Sequence, residues 1–392
     1  MPEIGEVARI VGRLRTHLVG RTITSVQAQH DPIVFKDTTE QRFVSELEGQ
    51  TVQAAKQWGK YFWLVMSKPP HVLMHLGMTG WIHIKDDPLS HYRTKTGEPR
   101  WPPRYHKFIF KLQDSTNEIA FVDARRLARI RLIDHANGDL RNVSPLKENG
   151  PDPVQEPPTL EWLKTHLAAR KVPVKAWLLD QSAIAGIGNW VADEILYQSR
   201  LHPESYTHNL QESDVADMHK ALLFVTKTAV ETDADSSKFP KDWLMLHRWG
   251  KGKKGEDANK LPNGDQVEFL KVGGRTSAFV RKLQRKVGPV ASEDGAPKRQ
   301  AKRKRVKQEE EEESGGGAVK EEVEDESEFE VKPMKKGRVK KTVEVRPNPR
   351  QTKTEVTEEL PDGHEPTEIK SEVEGPHEGH RLRPRRKNLA AQ

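Results

Sequence analysis

The chain has 392 residues, room for two or three domains, yet 31% of them are charged and the mean hydropathy is -0.80, so not all of it can pack. It has no cysteine, which excludes disulfides, thiolate metal sites and a cysteine nucleophile, and no apolar run near the ~20 residues that cross a bilayer. Residues 291 to 392 carry 23 basic and 24 acidic residues with Phe329 as their one aromatic, whereas residues 1 to 290 carry 42 basic against 34 acidic. The part able to fold is therefore the basic part, a balance that suits a polyanionic partner such as nucleic acid and equally suits plain solubility. The N-terminus has no signal-peptide core, which predicts a soluble intracellular protein.

The chain opens MPEIGEV. Removal of Met1 before a small second residue leaves Pro2 as a free secondary amine. Free α-amino groups titrate near ~8, so a useful fraction is unprotonated at neutral pH and can add to a carbonyl carbon to give a Schiff base. Glu3 beside it can move protons. From about residue 2 to 18, Ile4, Val7, Ile10, Val11, Leu14 and Leu18 recur at helical spacing, predicting a helix that anchors this start. The runs TITSVQAQ, TVQAAKQ, KYFWLVM, HVLMHLG, GWIHIK, HKFIFKL, IAFVDA and RIRLI follow, apolar or alternating and separated by turn residues. They predict an antiparallel sandwich or barrel reaching to about residue 134, interrupted by the Pro-rich charged loop DDPLSHYRTKTGEPRWPPRY.

After NVSPLKENGPDPVQEPP the period changes. TLEWLKTHLAAR, VPVKAWLLDQ, NWVADEILYQSRL and QESDVADMHKALLFVTKTAVE have helical spacing, with Thr159 and Asn189 as caps and Pro173 early in its helix. Within DQSAIAGIGNWVADEIL, Asn189 lies where a helix start exposes free backbone N–H groups; this is either a phosphate site or an ordinary corner between helices. DQVEFLKVGGRTSAFV predicts a hairpin turning at Gly273-Gly274. Beyond residue 290, KRQAKRKRVK, EEEEESGGG and RLRPRRK read as a disordered charged tail with nuclear-localisation runs or as a simple solvating tail.

PEIGEV, GKYFWL, HLGMTG, DARRLAR, GPDP, AGIGNWVADEIL and GGRTSAFV stand in one order along residues 2 to about 286. In these motifs the chain resembles the formamidopyrimidine-DNA glycosylase (Fpg/Nei) family, in its plant and fungal branch. The resemblance implies an α+β fold in which the N-terminal helix and an antiparallel β-sandwich make a catalytic domain over residues 1–135. A helix-two-turn-helix DNA-binding domain over 136–245, a zincless β-hairpin finger over 246–288 and a disordered tail over 289–392 follow.

It also implies roles. Pro2 is the amine that attacks C1′ of the damaged nucleotide, Glu3 shuttles protons during sugar opening and Lys60 is a proton donor; Arg275 completes the catalytic set. Met78 and Arg125 fill the gap left by a flipped nucleotide, and Leu127 stands where bacterial members use Phe, giving apolar bulk without a π-face. Asn189, Arg170 and Arg275 grip phosphates, with Tyr105 where bacterial members use His. Bacterial members fold the finger around a Cys₄ zinc; here no metal and no cofactor are expected, and strand pairing with Val267, Phe269 and Phe279 holds the hairpin. An unperturbed lysine near ~10.4 is mostly protonated, so Lys60 is the poorer nucleophile of the two amines.

The implied function is a bifunctional DNA glycosylase and AP lyase of base excision repair, a nuclear monomer acting on damaged double-stranded DNA and not on membranes. It would excise formamidopyrimidines and hydantoins ahead of 8-oxoguanine and cut abasic sites by β/δ-elimination. The rival reading is a catalytically weak binder of damaged or branched DNA.

Overall fold

The computed structural model describes residues 2–87, 100–251 and 259–288. The expected disordered tail with its localisation runs, and most of the Pro-rich loop, lie outside the described residues. The periodic opening segment forms α1 (Ile4–His17), two residues shorter at its start than the apolar spacing suggests, because Glu3 is extended (φ -116, ψ -173). Its backbone N–H donates to Glu6 Oε2 at 3.0 Å, which satisfies one of the donors a helix start leaves open.

The apolar runs fold into two four-stranded antiparallel sheets. One holds β1 (Ile23–Ala28), β6 (His106–Leu112), β7 (Glu118–Val122) and β5 (Trp81–Ile84) in that order; the other holds β2 (Val52–Trp58), β3 (Tyr61–Met66), β4 (His71–His75) and β8 (Arg129–Ile133). Phe108, Phe110 and Phe121 of the first meet Phe62, Leu64 and Met74 of the second, and Phe43 of α2 (Glu40–Leu47) closes the layer with Val7, Ile10, Val11 and Leu14 of α1. This is the predicted sandwich. The strand YFWLVM is apolar throughout rather than alternating because its sheet is covered twice: Trp63 and Val65 point away from the sandwich into a second layer with Trp58, Leu73, Leu140, Leu146 and Ala185.

The change of period marks α3 (Leu160–Ala168), α4 (Val174–Leu179), α5 (Asn189–Gln198), α6 (Glu212–Glu231) and the short α7 (Leu244–His247). Thr159 caps α3, accepting from Trp162 N at 3.1 Å, whereas Pro173, expected early within its helix, stands just before it as the cap of α4. Asn189 is not a cap: Gly188 holds that position and Asn189 is the first residue of α5. Leu163, Trp177, Ile195, Met218 and Leu222 build the helical core, and Ile4 of α1 belongs to it as well. Next to it, a Cβ on Gly5 would sit 2.7 Å from Ala229 O, so α1 lies backbone to backbone on α6. The first turn of the chain is thus fixed in one core while the rest of α1 is fixed in the other.

The predicted hairpin is β9 (Glu268–Val272) and β10 (Arg275–Phe279), turning at Gly273 (φ 60) and Gly274 (φ 75), the left-handed pair such a tight turn needs. Val267 is buried and Phe269 partly so in a small core with Tyr197, Leu244, Leu261, Ala278 and Val280, whereas Phe279 is buried outside it, edge-on to His202.

Glu194 lies under this region. Burial pushes its carboxyl up to about 8, although Gln198 Nε2 (2.7 Å) and Met245 N (2.8 Å) donate to it. The folded chain keeps this proton between the ordinary value of 4.5 and about 8 where the unfolded chain has lost it, so folding stability falls as pH rises through that window. Glu194→Gln keeps the shape and has no proton to lose. Its urea midpoint is expected to fall less than the parent's between roughly pH 5 and pH 8.5; an equal fall would show that the carboxyl ionises freely in the fold.

Candidate active site and nucleic-acid interface

The turn GIG before α5 leaves its first N–H groups open, and a carboxylate from the other end of the sequence takes them. Glu3 accepts from Gly188 N (2.9 Å), Trp190 N (3.0 Å) and Val191 N (3.1 Å). A Cβ on Gly188 would stand 2.3 Å from the Glu3 carboxyl carbon, so only glycine admits this approach. The anion at the positive end of α5 is therefore the chain's own Glu3. Ile4 N donates to Gly186 O at 3.1 Å and Gln57 Nε2 donates to Ile4 O at 3.0 Å, which clamps the backbone on both sides and leaves Pro2 buried.

Lys60 comes from the β2–β3 turn, where Gly59 (φ 58) presses on Ala185 and Gly186 and donates its N–H to Asp152 Oδ2 at 2.7 Å. Its Nζ donates to Ile187 O at 2.8 Å. Burial lowers its pKa to about 8, with Glu3 and Glu6 opposing and Arg275 adding to the shift. Lys60 thus stays largely cationic at neutral pH but gives up its proton far more readily than an ordinary lysine. Burial also raises Glu3, against the pull of Lys60 and with Glu6 adding to it. His75, which the sequence reading passed over, sits across β3–β4 from Tyr61 and is held down at about 4 by burial, Lys60 and Arg129.

Arg275 leads β10 and is half-buried; its backbone pairs with Val272, and no hydrogen bond or ion pair to another described residue ends on its side chain. Asn189 Nδ2 donates to Thr276 O at 3.0 Å, and its buried Oδ1 has no partner among the described residues. Pro2, Glu3, Lys60, Asn189 and Arg275 thus converge through direct bonds, chain adjacency or mutual charge. Arg170 does not join them: its Nη1 is 2.5 Å from Asp180 Oδ2.

A second group forms on the sandwich. Asp123 is wholly buried and accepts from Thr79 Oγ1 (2.6 Å), Arg125 N (3.1 Å) and Ala128 N (2.7 Å), while its own N–H donates to Tyr105 O at 3.1 Å. A Cβ on Gly77 would be 2.5 Å from Leu127 O. The loops carrying half-buried Met78, exposed Arg125, Leu127 (38% exposed) and Tyr105 (46% exposed) are therefore tied to one carboxylate. Arg126 (φ 58) is held by Asp31 through Nε and Nη2 at 3.0 to 3.1 Å, so of the two neighbouring arginines only Arg125 is left without an ion pair among the described residues. Asp123 lies inside the motif DARRLAR; nothing in the sequence marks Asp31.

Residues 1–130 match the formamidopyrimidine-DNA glycosylase N-terminal domain and residues 149–241 the H2TH domain of the same enzymes. A formamidopyrimidine-DNA glycosylase of Arabidopsis thaliana is 36% identical over 305 residues, covering 77% of this chain and 75% of the relative. The chain belongs to the formamidopyrimidine-DNA glycosylase family. As a member it is a DNA glycosylase of base excision repair. The Lactococcus lactis enzyme bound non-covalently to DNA containing an AP site has the same fold, with a TM-score of 0.58, 26% identity and cover of 72% of this chain and 100% of that one. An inhibited LlFpg complexed with DNA containing N7-benzyl-Fapy-dG gives a TM-score of 0.59 at 25% identity, over 73% and 100% of the two chains.

In this glycosylase Asp123→Asn replaces an acceptor-only group by one that turns an NH₂ toward backbone donors. It is expected to lower the unfolding free energy by about 2 kcal/mol and to speed amide exchange in residues 76–80 and 124–128. A loss within about 0.5 kcal/mol in urea unfolding would mean that the loops do not depend on this carboxylate.

Proposed function

We propose that this DNA glycosylase removes formamidopyrimidine and hydantoin bases from damaged duplex DNA and then cleaves the abasic site through a Schiff base on Pro2. The observation that carries the reading is the Glu3 clamp, which holds the start of the chain beside Lys60 on the N-terminus of α5. The lone pair of the free Pro2 amine attacks C1′, and the departing base leaves with the glycosidic electrons and takes up a proton. Glu3, raised by burial, protonates the ring oxygen as the sugar opens to the iminium, and Lys60 serves as a second proton donor. Loss of a C2′ proton expels the 3′ phosphate, which is the lyase step, and a further elimination releases the 5′ phosphate. Binding to AP-site DNA and to a formamidopyrimidine-like lesion by the bacterial relatives supports these substrates.

Arg275 and Asn189 then hold phosphates near the lesion, and Arg170 joins them when a phosphate displaces Asp180. Met78, Arg125 and Leu127 enter the gap left by the flipped nucleotide, and Tyr105 lines the same face. The enzyme acts as a monomer, and the basic runs near residues 298–307 would direct it to the nucleus.

Borohydride added during reaction with an abasic-site duplex should join protein and DNA covalently, with the adduct mapped to residue 2. An uncleaved Met1 or an N-terminal tag should abolish trapping, since the nitrogen becomes an amide. Trapping that survives a blocked N-terminus and vanishes in Lys60→Ala would move the nucleophile to Lys60; no trapping at all would leave a weak binder of damaged DNA.

The pH profile tests Lys60 separately. A proton donor with a pKa of about 8 is cationic below that pH and neutral above it, so the single-turnover rate should fall as pH rises past about 8. Removing the Arg275 charge relieves a repulsion that lowers this pKa, so Arg275→Met should move that limb to higher pH. A rate that rises through the same range would make Lys60 a base.

A further inference from the structure

Asp193, one turn into α5, is wholly buried, and four donors converge on it. Lys175 of α4 donates its Nζ to Oδ1; Arg248 donates Nε (3.2 Å) and Nη2 (2.8 Å), and Ala278 donates its backbone N–H (3.1 Å), to Oδ2. Lys175 is itself wholly buried and also donates to Asn189 O at 2.8 Å. Two buried basic side chains thus fix one carboxylate.

The other partner is β10. Arg275, Ser277 and Phe279 alternate along it with Thr276 and Ala278, so the backbone groups of the latter two point to one edge. Asn189 takes the carbonyl of Thr276 and Asp193 takes the N–H of Ala278. These two side chains are four residues apart on α5 and share one helix face. The helix therefore presents a donor and an acceptor at the spacing of a strand edge, and the hairpin docks on it as on a neighbouring strand.

We propose that Asp193, braced by Lys175 and Arg248, is a positioning residue that holds β10 on α5 and so directs Arg275 toward Lys60. A chain without cysteine cannot form a thiolate zinc site, and among the described residues no three His, Asp or Glu side chains group as a metal site. The ionic cluster is a cross-link on a hairpin with so small an apolar core. The inference rests on the reading of Arg275 as a phosphate contact, and its test separates the two.

The protein is the full chain with Met1 removed. Asp193→Asn keeps the shape and one acceptor but drops the charge; Arg248→Met removes one brace and leaves the Lys175–Asp193 pair, so it carries the same readouts if the first variant fails to fold. Amides of residues 276–280 should exchange roughly tenfold faster in either variant, with β6 and β7 unchanged. Damaged-DNA affinity should fall and its salt slope should drop by about one, as in Arg275→Ala, and combining either variant with Arg275→Ala should weaken binding no further. Unchanged hairpin exchange would overturn the proposal, as would additive losses in the double variant or activity lost in EDTA and restored by zinc. If Arg275→Ala alone leaves affinity and salt slope unchanged, the phosphate reading of Arg275 fails, while the exchange result still judges how the hairpin is docked.

Discussion

Everything chemical in this protein hangs on one buried carboxylate set against one helix start. Glu3 gives up its hydration to sit on Gly188, Trp190 and Val191, and three N–H donors at the positive end of α5 offset that loss. The bond joins residue 3 to residues 188–191 and so welds the sandwich, through α1, to the helices. Because residue 3 is tied through its side chain, the amine before it is tethered at the same place. Lys60 arrives at the same place because the turn that carries it is pressed on Gly186 and bonded to Asp152. Two separate apolar cores meet at the start of the chain.

The electrostatics of that meeting point work against stability. Lys60 and His75 are held below their ordinary values and Glu3 above its own, each chiefly by burial, so all three charged forms are disfavoured. Such groups persist where the surrounding packing over-determines them, and here two apolar cores and a backbone-tight α1–α6 contact do so. The gain is chemical. A carboxyl whose hold on a proton is strengthened and an amine whose hold is weakened stand beside each other, the kind of pairing that suits proton transfer.

Buried aspartates repeat the device elsewhere. Asp123 gathers the loops of Met78 and Leu127, Asp31 immobilises Arg126 beside them, and Asp193 receives the free edge of β10. An ionised carboxylate only accepts, so it can fasten backbone N–H groups that loops and edges leave open without competing for carbonyls. Each of these acids fastens a loop or strand that carries a more exposed side chain.

Features that depend on neighbours along the chain were legible in the sequence: the amine of Pro2, the α1 stripe, the strand runs, the Gly273-Gly274 turn and the ordered motifs that carry the family. These follow from periodicity, backbone freedom and covalent chemistry. It left open whether the start of α5 was a phosphate site, and it assigned Lys60 an ordinary pKa. Both depend on Glu3, far away in sequence, and on burial that no local window contains. The same holds for Asp31, Asp123 and Asp193, ordinary acids until the fold surrounds them with donors from separate elements. Tertiary structure decided these points because desolvation and charge pairing are set by what packs around a group, and packing is not written at the group's own position.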